Sequence, residues 1–380
     1  MASWVAVSFG ALDVHDHVLG AGEYRYLVAP VRPGVPVMLS GDGAAIWERL
    51  VRGPLRAEDL DAEELVVVEE MEAMGIASRD FDDEARVREV NAPWLSSPIH
   101  ELVYAILGRV ADQSGVELVF IKGPTLHAQG LRTREHSGDV DCWVAPGSDV
   151  RFARAMQSWG WRPAFSAFTG TGVLHSLTLR APEWGCAVDV HGWFPGMTMS
   201  HQDAFEQVQR SSESRMFAGY LGKTPDRAMH AVISALHDVR PSGGHGPSEH
   251  HIDRAAETLS MAGESVTDIA VQTGAEFALR GALSHAFPDH PIDYNRARVP
   301  PDWSWRMQST MPRTYLAALR SLPFRERGRA LFRILWPTPE SLLAGPTAQE
   351  SGATSVRELR VRRATRGFRE MMTVLRRRRR

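Results

Sequence analysis

Cysteine is nearly missing from this chain of 380 residues, with only Cys142 and Cys186 present. Each sits in an apolar, strand-like run, and their spacing resembles no metal site. That excludes a disulfide framework and a cysteine-built zinc centre. Both read as small buried residues of a reducing compartment. Long apolar runs are missing too. No stretch reaches eighteen residues, so no membrane-spanning helix is expected. The N-terminus has no basic region followed by an apolar stretch and a small-residue cleavage site, so the expectation is a soluble, cytoplasmic protein. Lysine is the third scarcity: of 43 lysines and arginines, only Lys122 and Lys223 are lysine. A compact ammonium suits phosphate contact in a tight site, although drift in composition leaves the same trace.

What is present is uneven. The net charge of -3 hides an acidic start and a basic end. Residues 1–90 hold 18 acidic and 8 basic residues, whereas residues 301–380 hold 18 arginines and 6 acidic residues. The first region is unsuited to nucleic acid. The second can touch phosphate, RNA, an acidic partner or the acidic N-terminal region, or can be a solvated basic tail. Apolar content of 43% gives ample material for a core.

The order of elements predicts an α+β protein of mixed type. Residues 1–85 read as a small winged-helix module, with strands in 3–12 and 24–39 and helices at SGDGAAIWERL and 61–77. Residues 95–200 alternate helix, strand, helix, strand, helix and hairpin, which describes a mixed sheet with helices on it. Residues 201–345 read as helical throughout, with segments at 201–209, 225–239, 250–262, 266–286 and 305–321. Residues 354–380 combine arginine with Val356, Leu359, Val361, Phe368, Met371 and Leu375 as a basic amphipathic helix that frays at Arg376–Arg380.

SGDVDCWV, residues 137–144, carries Asp139 and Asp141 one residue apart. In a strand they project from one face and repel each other, unless a divalent metal removes the repulsion. A solvated strand edge is the plain alternative. The strand ELVFIKG precedes this pair and ends on Lys122-Gly123, where glycine lets backbone approach a phosphate. A third strand, AVDVHGW, adds Asp189. Three acids on successive strands can hold metal ions against a triphosphate, with Asp189 completing a metal site or accepting a proton from an attacking hydroxyl. His191 shares the strand face of Asp189, where it can serve a phosphate or simply cap the strand end.

Together, FIKGPTLHAQGL, SGDVDCWV and VDVHGWF resemble the nucleotidyltransferase superfamily with the DNA polymerase β-like fold, and in particular an uncharacterised bacterial branch. The resemblance covers roughly residues 95–290. It implies nucleotidyl transfer from an NTP, perhaps ATP, with Mg²⁺ or Mn²⁺ held by Asp139, Asp141 and Asp189. It also implies phosphate contacts from Lys122, Gly123 and Thr125. Arg134 stands one position further from the aspartates than the arginine of that branch, whose place is taken by Glu135. Asp253 and His237 resemble positions in its helical part. VMLSGDGAAIWERL and VEEMEAMGIA resemble the PqqD-like domain, which captures an extended leader peptide as an added edge strand. That likeness spans about residues 22–80, and Trp47 is its most specific match, although Trp47 reads first as core. The two resemblances imply tailoring of a ribosomally made peptide, such as a lasso peptide. The alternatives are an acceptor such as tRNA, a toxin target or an antibiotic-like small molecule, and a non-catalytic peptide-binding scaffold.

Overall fold

Short β-branched runs punctuated by Gly, Pro and Asp do form strands in the computed structural model. It describes residues 2–18, 22–81, 83–135, 138–290, 294, 296–343 and 355–377, with side chains of the last helix through Arg366 and at Arg369. Ser137 of SGDVDCWV, residues 344–354, Arg378–Arg380 and the side chains of Phe368, Met371 and Leu375 lie outside that description. The fold is mixed α+β, with several small sheets and many helices. Two compact units emerge. The first is Met1–Arg162, Leu179–Gly192 and His201–Ile233; the second is Pro163–Thr178, Trp193–Ser200 and Ser234–Arg380.

The first unit begins with β1 (Ser3–Ala6), β2 (Gly10–Asp13), β3 (Tyr26–Ala29) and β4 (Val37–Leu39). Then come α1 (Gly41–Arg52), β5 (Leu55–Arg56), α2 (Ala62–Met74) and β6 (Ala77–Ser78). They make two three-stranded sheets, β5-β1-β6 and β2-β3-β4. Helix α2 starts at Asp61, whose carboxylate accepts from the amides of Glu63 and Glu64, and stops at Gly75 in the left-handed region. Trp47 is fully buried among Trp4, Tyr26, Leu50 and Met71, and its indole N–H donates to the Ile76 carbonyl at 3.0 Å.

Next come α3 (Pro98–Gln113), β7 (Leu118–Ile121), α4 (Gly123–Ala128), β8 (Asp139–Val144) and α5 (Asp149–Gln157). They are followed by β9 (Arg162–Pro163), β10 (Ser176–Ala181), β11 (Cys186–His191) and α6 (His201–Arg210). The strands form one sheet in the order β7-β8-β11-β10-β9. Strand β8 runs antiparallel to β7 and parallel to β11, which aligns Ile121, Asp141 and Asp189 in one row.

The helical reading of residues 201–345 omitted a hairpin. Strands β12 (Ser212–Phe217) and β13 (Tyr220–Pro225) pair through a two-residue turn, with Ala218 at φ 47° and Gly219 at φ 89°. Such turns usually carry Asn or Asp where Ala218 stands, so the usual sequence signal is absent. Buried Glu101 holds this unusual alanine. Its carboxylate accepts from Ala218 N–H at 3.0 Å and from the amides of Trp94 and Leu95. Tyr104 of α3 stacks on Phe217 with centroids 4.5 Å apart, and both rings meet Phe120 of β7. That aromatic knot fixes β7, and with it the turn that follows.

Helix α7 (Arg227–Val239) leads into the second unit, which continues with α8 (Glu249–Ala262), α9 (Ser265–Thr273), α10 (Glu276–Ala286), α11 (Trp303–Arg306), α12 (Met311–Ser321) and α13 (Phe324–Leu335). A short helix, Pro339–Leu343, and a final helix, Val356–Arg377, close it. The single helix expected at 266–286 is broken at Gly274. Its φ is 67°, and a Cβ there would lie 2.0 Å from Thr198 Oγ1. Among the described residues, no helix is long and apolar enough to cross a membrane.

Strand β2 packs against α3 with no spare room. A Cβ on Gly10 would sit 2.8 Å from the Ala105 Cβ and 3.1 Å from Leu102 Cδ2. A Cβ cannot move without its backbone, so Gly10→Val lowers stability by about 1–3 kcal/mol in chemical unfolding. In a double-mutant cycle, Gly10→Ala should cost less in an Ala105→Gly background than in the parent, because the Ala105 Cβ is its nearest contact.

Candidate metal centre

Register builds the centre. Asp141 and Asp189 are direct partners on parallel strands, and His191 lies two residues beyond Asp189 on the same face. One ligand atom from each of Asp141, Asp189 and His191 lies within 4.8 Å of the others. Asp141 and His191 are buried and Asp189 is half-buried. Two carboxylates and an imidazole are a donor set that suits a divalent cation. Asp139 stands one pleat back, opposite Ala187, and lines a small cleft with Ser97, His100, Tyr104 and Glu135.

Asp141 holds the densest charge. Its Oδ1 receives the Lys122 ammonium at 2.6 Å and His191 Nε2 at 2.8 Å. An ionised carboxylate only accepts, so Nε2 carries the proton there. Burial alone would raise the Asp141 pKa, but Lys122 and His191 outweigh it and hold the carboxyl at about 2. Burial pushes the His191 pKa down, against the pull of Asp141. The centre therefore already contains one positive charge facing the aspartates, and that charge is a side chain.

Lys122 reaches Asp141 from a strained backbone. Its φ is 59° and its ψ is -146°, a region that side chains other than glycine's rarely enter. Three bonds hold it there. Its amide donates to His230 Nε2 at 2.5 Å, its carbonyl accepts from Thr125 Oγ1 at 2.7 Å, and its ammonium is on Asp141. The cost of such a conformation is roughly 1–3 kcal/mol, so the surroundings must over-determine it. Gly123 follows, buried and with φ at 60°. Thr125 thus closes the turn, and its hydroxyl proton is already committed to Lys122.

His230 is the residue that the sequence reading missed. It lies on the buried stripe of α7, fully enclosed, seven residues before His237. Burial, then Lys122 and Arg132, push its pKa down to about 3, so the ring is neutral. Nε2 accepts from Lys122, which leaves Nδ1–H to donate to Gln129 Oε1 at 2.7 Å. Gln129 in turn donates to the Pro225 carbonyl at 2.8 Å and to Glu213 Oε1 at 3.1 Å. A histidine on an apolar stripe must find partners for both ring nitrogens, and that was the available signal.

Arg134 is exposed, and its carbonyl accepts from Arg132 Nε. Arg132 is the arginine within the field of Asp139 and Asp141, although burial is what chiefly lowers its pKa. His237 and Asp253 belong to the second unit. There His237 Nδ1 lies 3.6 Å from Asp238, and Asp253 pairs with His285 at 3.2 Å.

No family model matches the chain, and no curated protein matches it. Four solved chains do. One is the crystal structure of an antigenic nucleotidyltransferase-like protein from Paracoccidioides brasiliensis, 12% identical. The match covers 49% of this chain and 94% of that one, with a TM-score of 0.29. A likeness this distant says nothing about activity.

The His230 lock has a pH signature. Its pKa is lower in the folded state than the ordinary value of about 6.5, so the unfolded chain binds the proton more readily. Stability from the neutral ring is present above about pH 6.5 and is lost as the pH falls toward 3. Urea unfolding between pH 7 and 4.5 avoids most of the range in which carboxylates titrate. His230→Gln should lose less stability across that range than the parent, by up to about 1.4 kcal/mol per pH unit. Identical pH slopes would contradict the lock.

Proposed function

We propose that this chain is a metal-dependent nucleotidyltransferase that moves an NMP group from an NTP, taken here as ATP, to a hydroxyl or phosphate acceptor. The observation that carries the reading is the pairing of Asp141 with Asp189 on parallel strands, beside an ammonium presented by a strained turn. Strain of this kind gathers at sites where geometry matters more than stability. A divalent cation, Mg²⁺ or Mn²⁺, held by Asp141 and Asp189 with His191 and Asp139 near, would supply charge neutralisation for the triphosphate and the departing pyrophosphate.

The chain's own groups do the rest. Lys122 exchanges its contact with Asp141 for a phosphate oxygen, as a point charge can without a fixed fork geometry. Gly123 leaves room for the phosphate at the turn. His191 donates to Asp141 and fixes the direction in which that carboxylate points. Asp189 accepts the proton of an attacking hydroxyl. The acceptor oxygen then bonds to the α-phosphorus, and the α–β phosphoanhydride bond breaks to release pyrophosphate. His230, Gln129 and Thr125 act through Lys122 by holding its backbone.

The acceptor is proposed to be a ribosomally made peptide of the lasso type, recruited by residues 1–85. The observation in favour is strand β4, which lies at the edge of its sheet, pairing with β3 alone among the described residues, and leaves Met38 48% exposed. An extended peptide can add to such an edge. A tRNA, a small molecule, or no acceptor at all (a scaffold) are the competing readings.

One assay separates them. Purified protein is given α-labelled NTPs with Mg²⁺ or Mn²⁺, together with leader-bearing peptide, tRNA or no acceptor. Metal-dependent pyrophosphate release should fall by about 10²-fold or more in Asp189→Asn. Met38→Pro should reduce labelling of the peptide while leaving acceptor-independent NTP turnover intact. Unchanged release in Asp189→Asn would refute the transferase reading. Label on tRNA alone would refute the peptide acceptor.

A further inference from the structure

Nearly half of the large exposed apolar side chains among the described residues crowd into Met307–Val361. They are ordered most clearly on α13. Phe324, Leu331, Phe332 and Leu335 are spaced as positions 0, 7, 8 and 11 of a helix, and Gly328 at position 4 lies between them, so they share one face. Phe324 is 86% exposed, Phe332 64% and Leu335 73%, and Trp336 continues the stripe at 58%. The opposite face is the one that packs: Ala330 is buried, and Ile334 joins the core of Phe168, Trp193 and Trp305. Helix α13 is therefore already seated in its unit by one face, with a second apolar face turned to water.

Arginines border that face, while Glu326 of α13 lies two positions on from Phe324, away from the stripe, and Glu358 of the final helix is paired with Arg362. Arg325 and Arg329 border the stripe and are exposed. Arg327 and Arg333 serve the fold instead, donating to the carbonyls of Leu322, Arg320 and Thr169. The final helix arrives at the end of the stripe. Arg360 lies over the Trp336 ring at 4.5 Å, and Arg357 and Arg366 on the same helix are exposed. Over residues 301–380 arginines outnumber acidic residues by 18 to 6.

We infer that this face docks on an anionic lipid surface. A helix with an apolar stripe, a Trp at its end and arginines along its border is built to lie in the plane of a bilayer interface. Arginine stems cover the apolar edge while the guanidiniums meet lipid phosphates. A second copy of the chain would bring like charge against like charge. RNA would satisfy the arginines and leave Phe324, Leu331 and Leu335 in water. A bilayer accepts both the charge and the apolar side chains. The inference stands apart from the nucleotidyl-transfer reading, since none of these residues belongs to that centre.

The test is co-sedimentation of the full chain with vesicles of phosphatidylcholine alone and of phosphatidylcholine with 30% phosphatidylserine. Binding to the anionic vesicles should exceed binding to the neutral ones at least tenfold and should weaken with salt. Leu335→Asp and Phe332→Asp should each lower it at least tenfold. Both positions face water, so circular dichroism and thermal unfolding should match the parent. Arg325→Ser with Arg329→Ser should lower anionic binding in a chain whose apolar stripe is intact. No vesicle binding at low salt would overturn the inference, and so would binding that ignores Leu335→Asp. Two other results would also overturn it: RNA binding that competes with vesicles and ignores Leu335→Asp, or a dimer in sedimentation velocity that Leu335→Asp dissolves.

Discussion

Everything at the centre turns on the contact between the Lys122 ammonium and Asp141. Asp141 is buried beside a second carboxylate on the parallel strand, and a buried acid so placed keeps its charge only with a positive neighbour. This chain supplies that neighbour from the end of the adjacent strand. It then accepts a costly backbone conformation at Lys122 to aim it. The residues around the turn make sense only in that light. His230 takes the amide, Thr125 takes the carbonyl, and Gln129 fixes the tautomer of His230.

The same contact explains why the aromatic knot matters. Tyr104, Phe120 and Phe217 come from α3, β7 and β12, and they lock β7 in place two residues before Lys122. Phe217 in turn adjoins Ala218, whose left-handed conformation is held by Glu101. Glu101 is buried, and the three backbone amides that it accepts from offset only part of the desolvation that raises its pKa. A chain of local necessities thus runs from the linker at Trp94 through the hairpin to the strand that carries the lysine.

Much of this was legible in the sequence. The strands around Lys122, Asp141 and Asp189 are short apolar runs with abrupt polar ends, and their order alone put three acids near one glycine turn. The scarcity of lysine pointed at Lys122. Which ligand atoms gather was not legible, because it depends on register. The parallel pairing of Asp141 with Asp189 brings His191 into the cluster and leaves Asp139 a pleat behind. His230 was hidden for a different reason. Its partners are 108 and 101 residues away, and no local pattern encodes a contact at that range. The hairpin at 212–225 was lost because an alanine occupies a turn position that depends on a tertiary hydrogen bond. The break at Gly274 reflects a close approach to Thr198, again invisible in a helical pattern.

A cation held by Asp141 and Asp189 would compete with Lys122 for their charge. A Mn²⁺ titration read by electron paramagnetic resonance, on the parent chain, Asp189→Asn and Lys122→Met, tests it directly. Mn²⁺ should bind the parent saturably, Asp189→Asn at least tenfold more weakly, and Lys122→Met equally or more tightly. One affinity shared by all three proteins would contradict it.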